Sequence, residues 1–288
     1  MSQSVGDPVE LTATTPFGEL AALQWGDAAA PPLLALHGWL DNAASFARLA
    51  PLLGERHRVI ALDLPGHGRS AHLPERSRRY HVVDQVDAVL DFADALGLDR
   101  FDLLGHSLGA GIASLTAAAA PTRIERLLLI EGLGTLPDDG TRTLQRWREA
   151  HAQRATTRRT PRVFASIDLA VATRVAAGDL DADEVRAIVE RSLRETGGGC
   201  AWRSDPRLRL LTPLRIDETQ MCRLLAGITV RTLLLLAEPA TPYLPSAMMN
   251  ALAACVPDIR VEHLTGPHHL HVRRPAEVAA RLSALLDS

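Results

Sequence analysis

The chain has 288 residues, 47% of them hydrophobic, enough apolar surface for one large core or a core with a small appended unit, and too much for a predominantly disordered chain. Its formal charge is -3, from 31 Lys and Arg against 34 Asp and Glu, so no global basic field exists to hold nucleic acid or an anionic membrane. A small, fairly neutral molecule is the expected partner. The N-terminal ten residues are polar and acidic, without the apolar stretch of a signal peptide, and no apolar run approaches the ~18–20 residues of a membrane span. Cys200, Cys222 and Cys255 are odd in number, far apart, and fit no zinc spacing. These features predict a cytoplasmic protein, monomeric or homodimeric, with no metal and no cofactor.

Taken in chain order, residues 33–36 read as a buried strand ending at His37-Gly38. Residues 58–63 read as a second, stopped by Pro65 and Gly66. Between 80 and 96 the apolar residues Val82, Val83, Val86, Val89, Leu90 and Ala93 recur at helical spacing, with Gly97 as the stop. Residues 101–104 form a third strand running into Gly105, and the small-residue stretch 108–120, closed by Pro121, reads as a tightly packed helix. A fourth strand covers 126–130. The alternation predicts a parallel sheet with crossover helices.

After Gly134 the pattern changes. Residues 141–212 are rich in arginine and helical signals but hold no convincing buried strand, which predicts an inserted helical cap. The run Gly197-Gly198-Gly199 reads as a turn within it, since no strand-to-helix context surrounds it. Alternation resumes with a strand at 230–237, a helix near 245–255, a strand at 260–264 and a helix at 275–286. The expected division is therefore a core in two parts, 1–133 and 221–288, around a cap at 134–220.

Gly105-His106-Ser107-Leu108-Gly109 is a G-x-S-x-G sequence between a predicted strand and a predicted helix, the context in which a serine is forced onto a sharp, strained turn. Gly105 and Gly109 leave room for that turn to close, and the Leu108 amide at the helix start faces any oxyanion formed beside Ser107. A serine hydroxyl needs a base to remove its proton. The chain order of such sites directs the search to Gly266-Pro267-His268-His269-Leu270-His271, between the last strand and the last helix. Spacing alone does not choose among the three histidines.

Over nearly its full length the chain resembles the α/β hydrolases: in His37-Gly38-Trp39, in Asp63-Leu64-Pro65-Gly66-His67-Gly68-Arg69-Ser70, in the serine turn, and in the C-terminal histidine loop followed by a proline. Within them it looks most like the serine hydrolase-like proteins, through residues 37–42, 198–208 and His268-His269. The resemblance implies an α/β fold with a mostly parallel eight-stranded sheet and a helical cap after the sixth strand. It implies Ser107 as nucleophile and Trp39 and Leu108 as oxyanion-hole amides. The usual seven-residue offset before the helix-starting Pro275 implies His268 as base, with His269 the alternative and His271 packed or solvated. The Asp63–Ser70 turn is a structural marker of such folds.

The acid departs from the pattern: Ala240 stands where most relatives have Asp. Glu131 is the first candidate, because carboxyl ends of parallel strands converge on the site and some haloalkane dehalogenases, which the chain resembles in this respect, carry their acid after this strand. Glu238, an unidentified acid or a dyad are the alternatives.

The expected pocket residues are His37, Gly38, His106, Trp147, Trp202 and His269. Trp147, Phe164 and Trp202 could equally form cap core, and Arg142, Arg146, Arg148, Arg154, Arg158, Arg159 and Arg162 could either attract an anionic thioester or form a solvated face. Hydrolysis of a small or medium carboxylic ester or thioester is the function this implies. A thioesterase, carbon-carbon bond hydrolase, lactonase or perhydrolase is the rival within the fold, and a slow or non-catalytic ligand receptor the rival outside it.

Overall fold

The computed structural model describes residues 6–153 and 162–287. An antiparallel hairpin, β1 (Val9–Thr15) and β2 (Gly18–Trp25), opens the chain. Strand β3 (Pro32–Leu36), short helix α1 (Ala50–Leu53), β4 (Arg58–Leu62), α2 (Val82–Ala95), β5 (Phe101–His106), α3 (Leu108–Ala119) and β6 (Ile124–Ile130) follow.

The insertion then holds α4 (Thr143–Ala152), β7 (Val163–Phe164), α5 (Ile167–Val175), α6 (Ala182–Ser192), β8 (Leu193–Thr196) and β9 (Gly199–Trp202). Helix α7 (Glu218–Leu225), β10 (Thr232–Glu238), α8 (Ser246–Ala253), β11 (Ile259–Thr265), α9 (Leu270–Arg273) and α10 (Pro275–Leu286) complete it.

The main sheet runs β1-β2-β4-β3-β5-β6-β10-β11, antiparallel through β1, β2 and β4 and parallel from β4 to β11. Its central strands are mostly apolar because helices cover both faces. The pleat sorts them: Leu34, Leu36, Ile60 and Leu62 pack under α2, α3, α7 and α8, whereas Leu33, Ala35, Val59 and Ala61 pack under α1 and α10. This is the expected eight-stranded, mostly parallel architecture with its insertion after the sixth strand.

Two expectations need correction. The insertion is not purely helical, since β7, β9 and β8 form a three-stranded antiparallel sheet. Strands of two to four residues are too short to show an alternation. Gly197-Gly198 is the turn between β8 and β9, as the glycine run predicts. The cysteines, distant in sequence, do not stay apart: α7 and α8 bring Cys222 and Cys255 together as a disulfide, leaving Cys200 buried and free. Among the described residues no helix is long and apolar enough to cross a membrane.

The join between β5 and α3 is where packing leaves least freedom. A Cβ on Gly109 would run into the backbone carbonyls of Leu36 and His37 at the end of β3, and backbone cannot give way as a side-chain tip can. Gly109→Val is therefore expected to lower stability by ~3 kcal/mol or more, seen as a fall in the urea midpoint. An unchanged midpoint would mean that α3 does not lie this close to β3.

Candidate active site

Ser107 joins β5 to α3 with φ 52° and ψ -114°, a left-handed backbone that costs a residue with a side chain about 1–3 kcal/mol and persists only where its surroundings enforce it. The enforcement is visible: Ser107 N donates to Ile130 O at 2.9 Å, and Ser107 O accepts from Gly111 N at 3.1 Å. Since the first N–H groups of a helix lack intrahelical acceptors, the start of α3 offers donors beside the serine. Among the described residues the other non-glycine residues with positive φ are Leu40 (62°) and Glu131 (53°). All three strained residues belong to segments singled out as catalytic: the turn after β3, the serine turn and the end of β6.

Glu131 is 1% exposed, and its carboxylate is fully engaged. Oε2 lies 3.0 Å from His268 Nδ1 and accepts from Thr241 Oγ1 at 2.9 Å, while Oε1 accepts from Ala237 N at 2.6 Å. The loop that carries Ala240 in place of an aspartate thus supplies a hydroxyl to a carboxylate arriving from the neighbouring strand. Glu238, the rival acid, is exposed at the end of β10 and pairs with no histidine. His268 is buried, its ring centroid 4.8 Å from that of His106 and 5.2 Å from that of Tyr243.

The remaining histidines have different occupations. His37 Nε2 accepts from Leu64 N at 3.0 Å and its Nδ1 faces Gly38 O at 2.7 Å, so the ring ties two loops together as a neutral imidazole; burial holds its pKa down to about 4. His106, held well below the usual histidine range by burial and by His271, places Nε2 3.1 Å from His268 O, and its Nδ1 has no partner. His271 Nε2 meets Ser45 Oγ at 2.7 Å. The Ser45–His271 contact is unsuited to catalysis, because both residues are fully buried and His271 Nδ1 has no hydrogen-bond partner, so no acid orients the ring.

His269 is caught between two carboxylates, with Nδ1 2.6 Å from Asp179 Oδ1 and Nε2 3.1 Å from Asp41 Oδ2. Burial alone would lower its pKa, but the bonds to Asp179 and Asp41 carry it up to about 9. Asp41, His106 and His269 bring ligand-type atoms within 4.8 Å of one another. Both nitrogens of His269 are already engaged and Arg174 Nη2 sits on Asp41 Oδ1 at 2.6 Å, so two of the three groups already have hydrogen-bond partners.

A cavity of about 450 Å³ opens over Ser107, within the size range of small-molecule sites. Trp39, Ser107, Leu108 and Glu131 line it. His37, Gly38, His106, Trp147, Trp202 and His269, expected in its wall, do not. The histidines are buried and engaged in the contacts just described. Trp202 meets Phe164 edge-on at 5.2 Å inside the insertion's own core, and Trp147 stacks on His151 on the outer face of α4.

The sequence profile of the α/β hydrolase fold matches residues 31–197, more than half of the chain. The chain belongs to the α/β-hydrolase family. Its relatives in that family include a serine hydrolase-like protein of Danio rerio, 29% identical across 96% of this chain and 88% of that protein, and a probable serine hydrolase of Drosophila melanogaster, 28% identical across 96% and 87%. A hypothetical protein of Pseudomonas aeruginosa PAO1 has the same structure at a TM-score of 0.89, with 38% identity over 97% of this chain and 99% of that one.

The α/β-hydrolase motifs account for the floor of the cavity but not for its walls. These come from Leu133 and Leu136 after β6, Leu208 and Leu214 between β9 and α7, and Leu244 and Met248 around the start of α8. In sequence such residues look like any other apolar positions, and no periodicity marks them. Of the arginine cluster, Arg146 pairs with Asp138, Arg142 bonds Gln145 and Arg162 lies over Phe164. None of these lines the cavity; Arg154, Arg158 and Arg159 lie outside the described residues.

Proposed function

We propose that the chain is a serine hydrolase that cleaves carboxylic esters or thioesters of apolar acyl groups through an acyl-enzyme on Ser107. The observation that carries this reading is the company Ser107 keeps. It sits strained at the start of α3, in the wall of a cavity that Glu131, the partner of His268, also lines. A histidine without an acid would favour a non-catalytic ligand receptor, whereas the Glu131–His268 contact at 3.0 Å supports the hydrolase reading. A dehalogenase is disfavoured because the turn carries serine where those enzymes use a carboxylate.

In the proposed reaction Ser107 Oγ attacks the carbonyl carbon as His268 Nε2 takes the hydroxyl proton. The carbonyl oxygen becomes an oxyanion held by the amides of Trp39 and Leu108. As the tetrahedral species collapses, the C–O or C–S bond breaks and His268 returns the proton to the departing alkoxide or thiolate. Water, deprotonated by His268, then attacks the acyl-enzyme and releases the acid and free Ser107. Glu131 holds the imidazole with Nδ1–H toward itself and stabilises the imidazolium.

The cavity wall supplies specificity. Leucines and methionines around about 450 Å³ favour an acyl chain over a polar substituent, and each methylene withdrawn from water contributes ~0.8 kcal/mol, about fourfold. For p-nitrophenyl esters, kcat/KM is expected to rise about fourfold per methylene beyond acetyl and then level off as the cavity fills. Acyl thioesters measured beside them distinguish the two leaving groups. A series flat from acetyl to octanoyl would remove the apolar acyl site from the proposal.

A further inference from the structure

The cluster around His269 lies outside the reaction just described, yet it adjoins the Trp39 turn and the His268 loop. Asp41 follows the turn that carries Trp39, and its backbone N donates to Gly38 O at 3.1 Å. Its buried carboxylate bonds Arg174 of α5 through Oδ1 and His269 through Oδ2. His269 in turn donates its backbone N to Asp179 Oδ2 at 3.2 Å, besides the bond from Nδ1 to Oδ1. Asp179 lies between α5 and α6, and its carbonyl accepts from Arg273 Nη2 at 3.1 Å. Beside Asp41, Asn42 donates Nδ2 to Ile188 O at 2.7 Å and to Ser192 Oγ at 2.8 Å on α6.

We propose that Asp41 and His269 are positioning residues, forming with Arg174 and Asp179 a buried charge chain that locks the insertion, the Trp39 turn and the His268 loop into one arrangement. The proposal rests on His268 being the base. Chemistry requires His269 to be cationic in this arrangement, because only an imidazolium can donate from both nitrogens to two carboxylates. Two carboxylates against one imidazolium and one guanidinium make the chain neutral overall, which is what allows it to be buried. Loss of the His269 proton would leave an unbalanced negative charge beneath the site and an imidazole nitrogen facing a carboxylate.

The neighbours preserve that balance. His37 at the end of β3, His106 at the end of β5 and His271 on α9 face the cluster as neutral rings, each held below the usual histidine range by burial. Besides Arg174, the charged or titratable groups against it include His268 itself, paired with Glu131, Arg273 of α9, paired with Glu184, Tyr243, which burial and Asp179 push up to about 12, and His67, which burial holds down to about 3. The sign of the pH dependence follows. With the His269 pKa raised from 6.5 to about 9, the lock is fully present below pH 6.5 and is lost as pH rises through 9.

The test uses Asp179→Asn and His269→Gln in the whole chain. Asp179 is partly exposed, so its variant folds if His269→Gln does not. Nitrogen NMR of the histidines should show one doubly protonated ring at pH 7.5 that titrates near 9 and disappears in His269→Gln; a neutral His269 at pH 7.5 overturns the proposal. Hydrogen exchange in Asp179→Asn should accelerate together in residues 37–42 and 266–271, and acceleration confined to the insertion overturns it.

In turnover, both variants should lose ~10–100-fold in kcat with KM within about threefold, and the alkaline fall near pH 9 should be absent from Asp179→Asn. Unchanged kcat and an unchanged pH profile would make the cluster merely structural. If the parent neither turns over esters nor reacts with a fluorophosphonate, the hydrolase reading fails, while the NMR and exchange results still decide whether the lock exists.

Discussion

Ser107→Ala is expected to lower ester turnover on the order of 10⁴-fold or more and to abolish the saturable fluorophosphonate labelling that the parent chain should show. Alanine keeps the Cβ, and so the strained backbone at φ 52°, while removing only the hydroxyl. Its unfolding midpoint should stay close to the parent's. Ser107→Gly, relieved of the left-handed penalty, should be more stable by ~1 kcal/mol and equally inactive. Greater stability in a dead enzyme is what separates a serine held for chemistry from one held for packing. Ser45→Ala is the control, because Ser45 Oγ lies against the ring of His271. It should cost ~1 kcal/mol for the lost buried hydrogen bond and leave labelling intact. Labelling that survives in Ser107→Ala, or vanishes in Ser45→Ala, would move the nucleophile.

The main sheet could be read from the sequence because its central strands are buried on both sides, so each carries a mostly apolar run. The observed β3, β4, β5, β6, β10 and β11 fall within about two residues of the runs that predict them. Strand β1 carries no such run: it alternates exposed and half-buried positions at the sheet edge, whereas β2 is buried from Leu20 to Trp25 and holds the short apolar run Leu20-Ala21-Ala22-Leu23. The serine turn is local, so five consecutive residues reveal it. The ion network is not local. Asp41, Arg174, Asp179 and His269 are brought together from the end of β3, the insertion and the C-terminal loop. Likewise Asp63 takes Arg191, which also reaches Glu10, and no spacing rule connects residues so far apart in the chain. For His269, the paired histidines of the motif gave a reason to look at the loop but not to tell a base from a buried cation; two carboxylates at hydrogen-bond distance make that distinction.

Glu131→Gln carries the second large effect, expected at ~10⁴-fold in kcat with substrate binding nearly intact. A glutamine is nearly the same size, so the Ala237 amide can still be satisfied, but it cannot balance an imidazolium. Its amide N–H₂, turned toward His268 Nδ1, favours the tautomer whose proton lies on Nε2, the nitrogen that must accept from Ser107. The defect is thus one of proton placement and should appear in kcat before KM. Because the acid here comes from β6 and not from the loop after β10, a second variant can tell a missing carboxylate from a disturbed fold. Ala240→Asp, introduced into the Glu131→Gln chain, puts a carboxylate at the position where related sequences carry theirs, one residue before the hydroxyl of Thr241 that now bonds Glu131. Recovery of about tenfold or more in the double variant would establish that His268 needs an acid on its Nδ1 side, whichever strand delivers it. Near-normal turnover in Glu131→Gln alone would instead remove Glu131 from the triad and leave the 3.0 Å contact as a strand-end carboxylate capping its own turn.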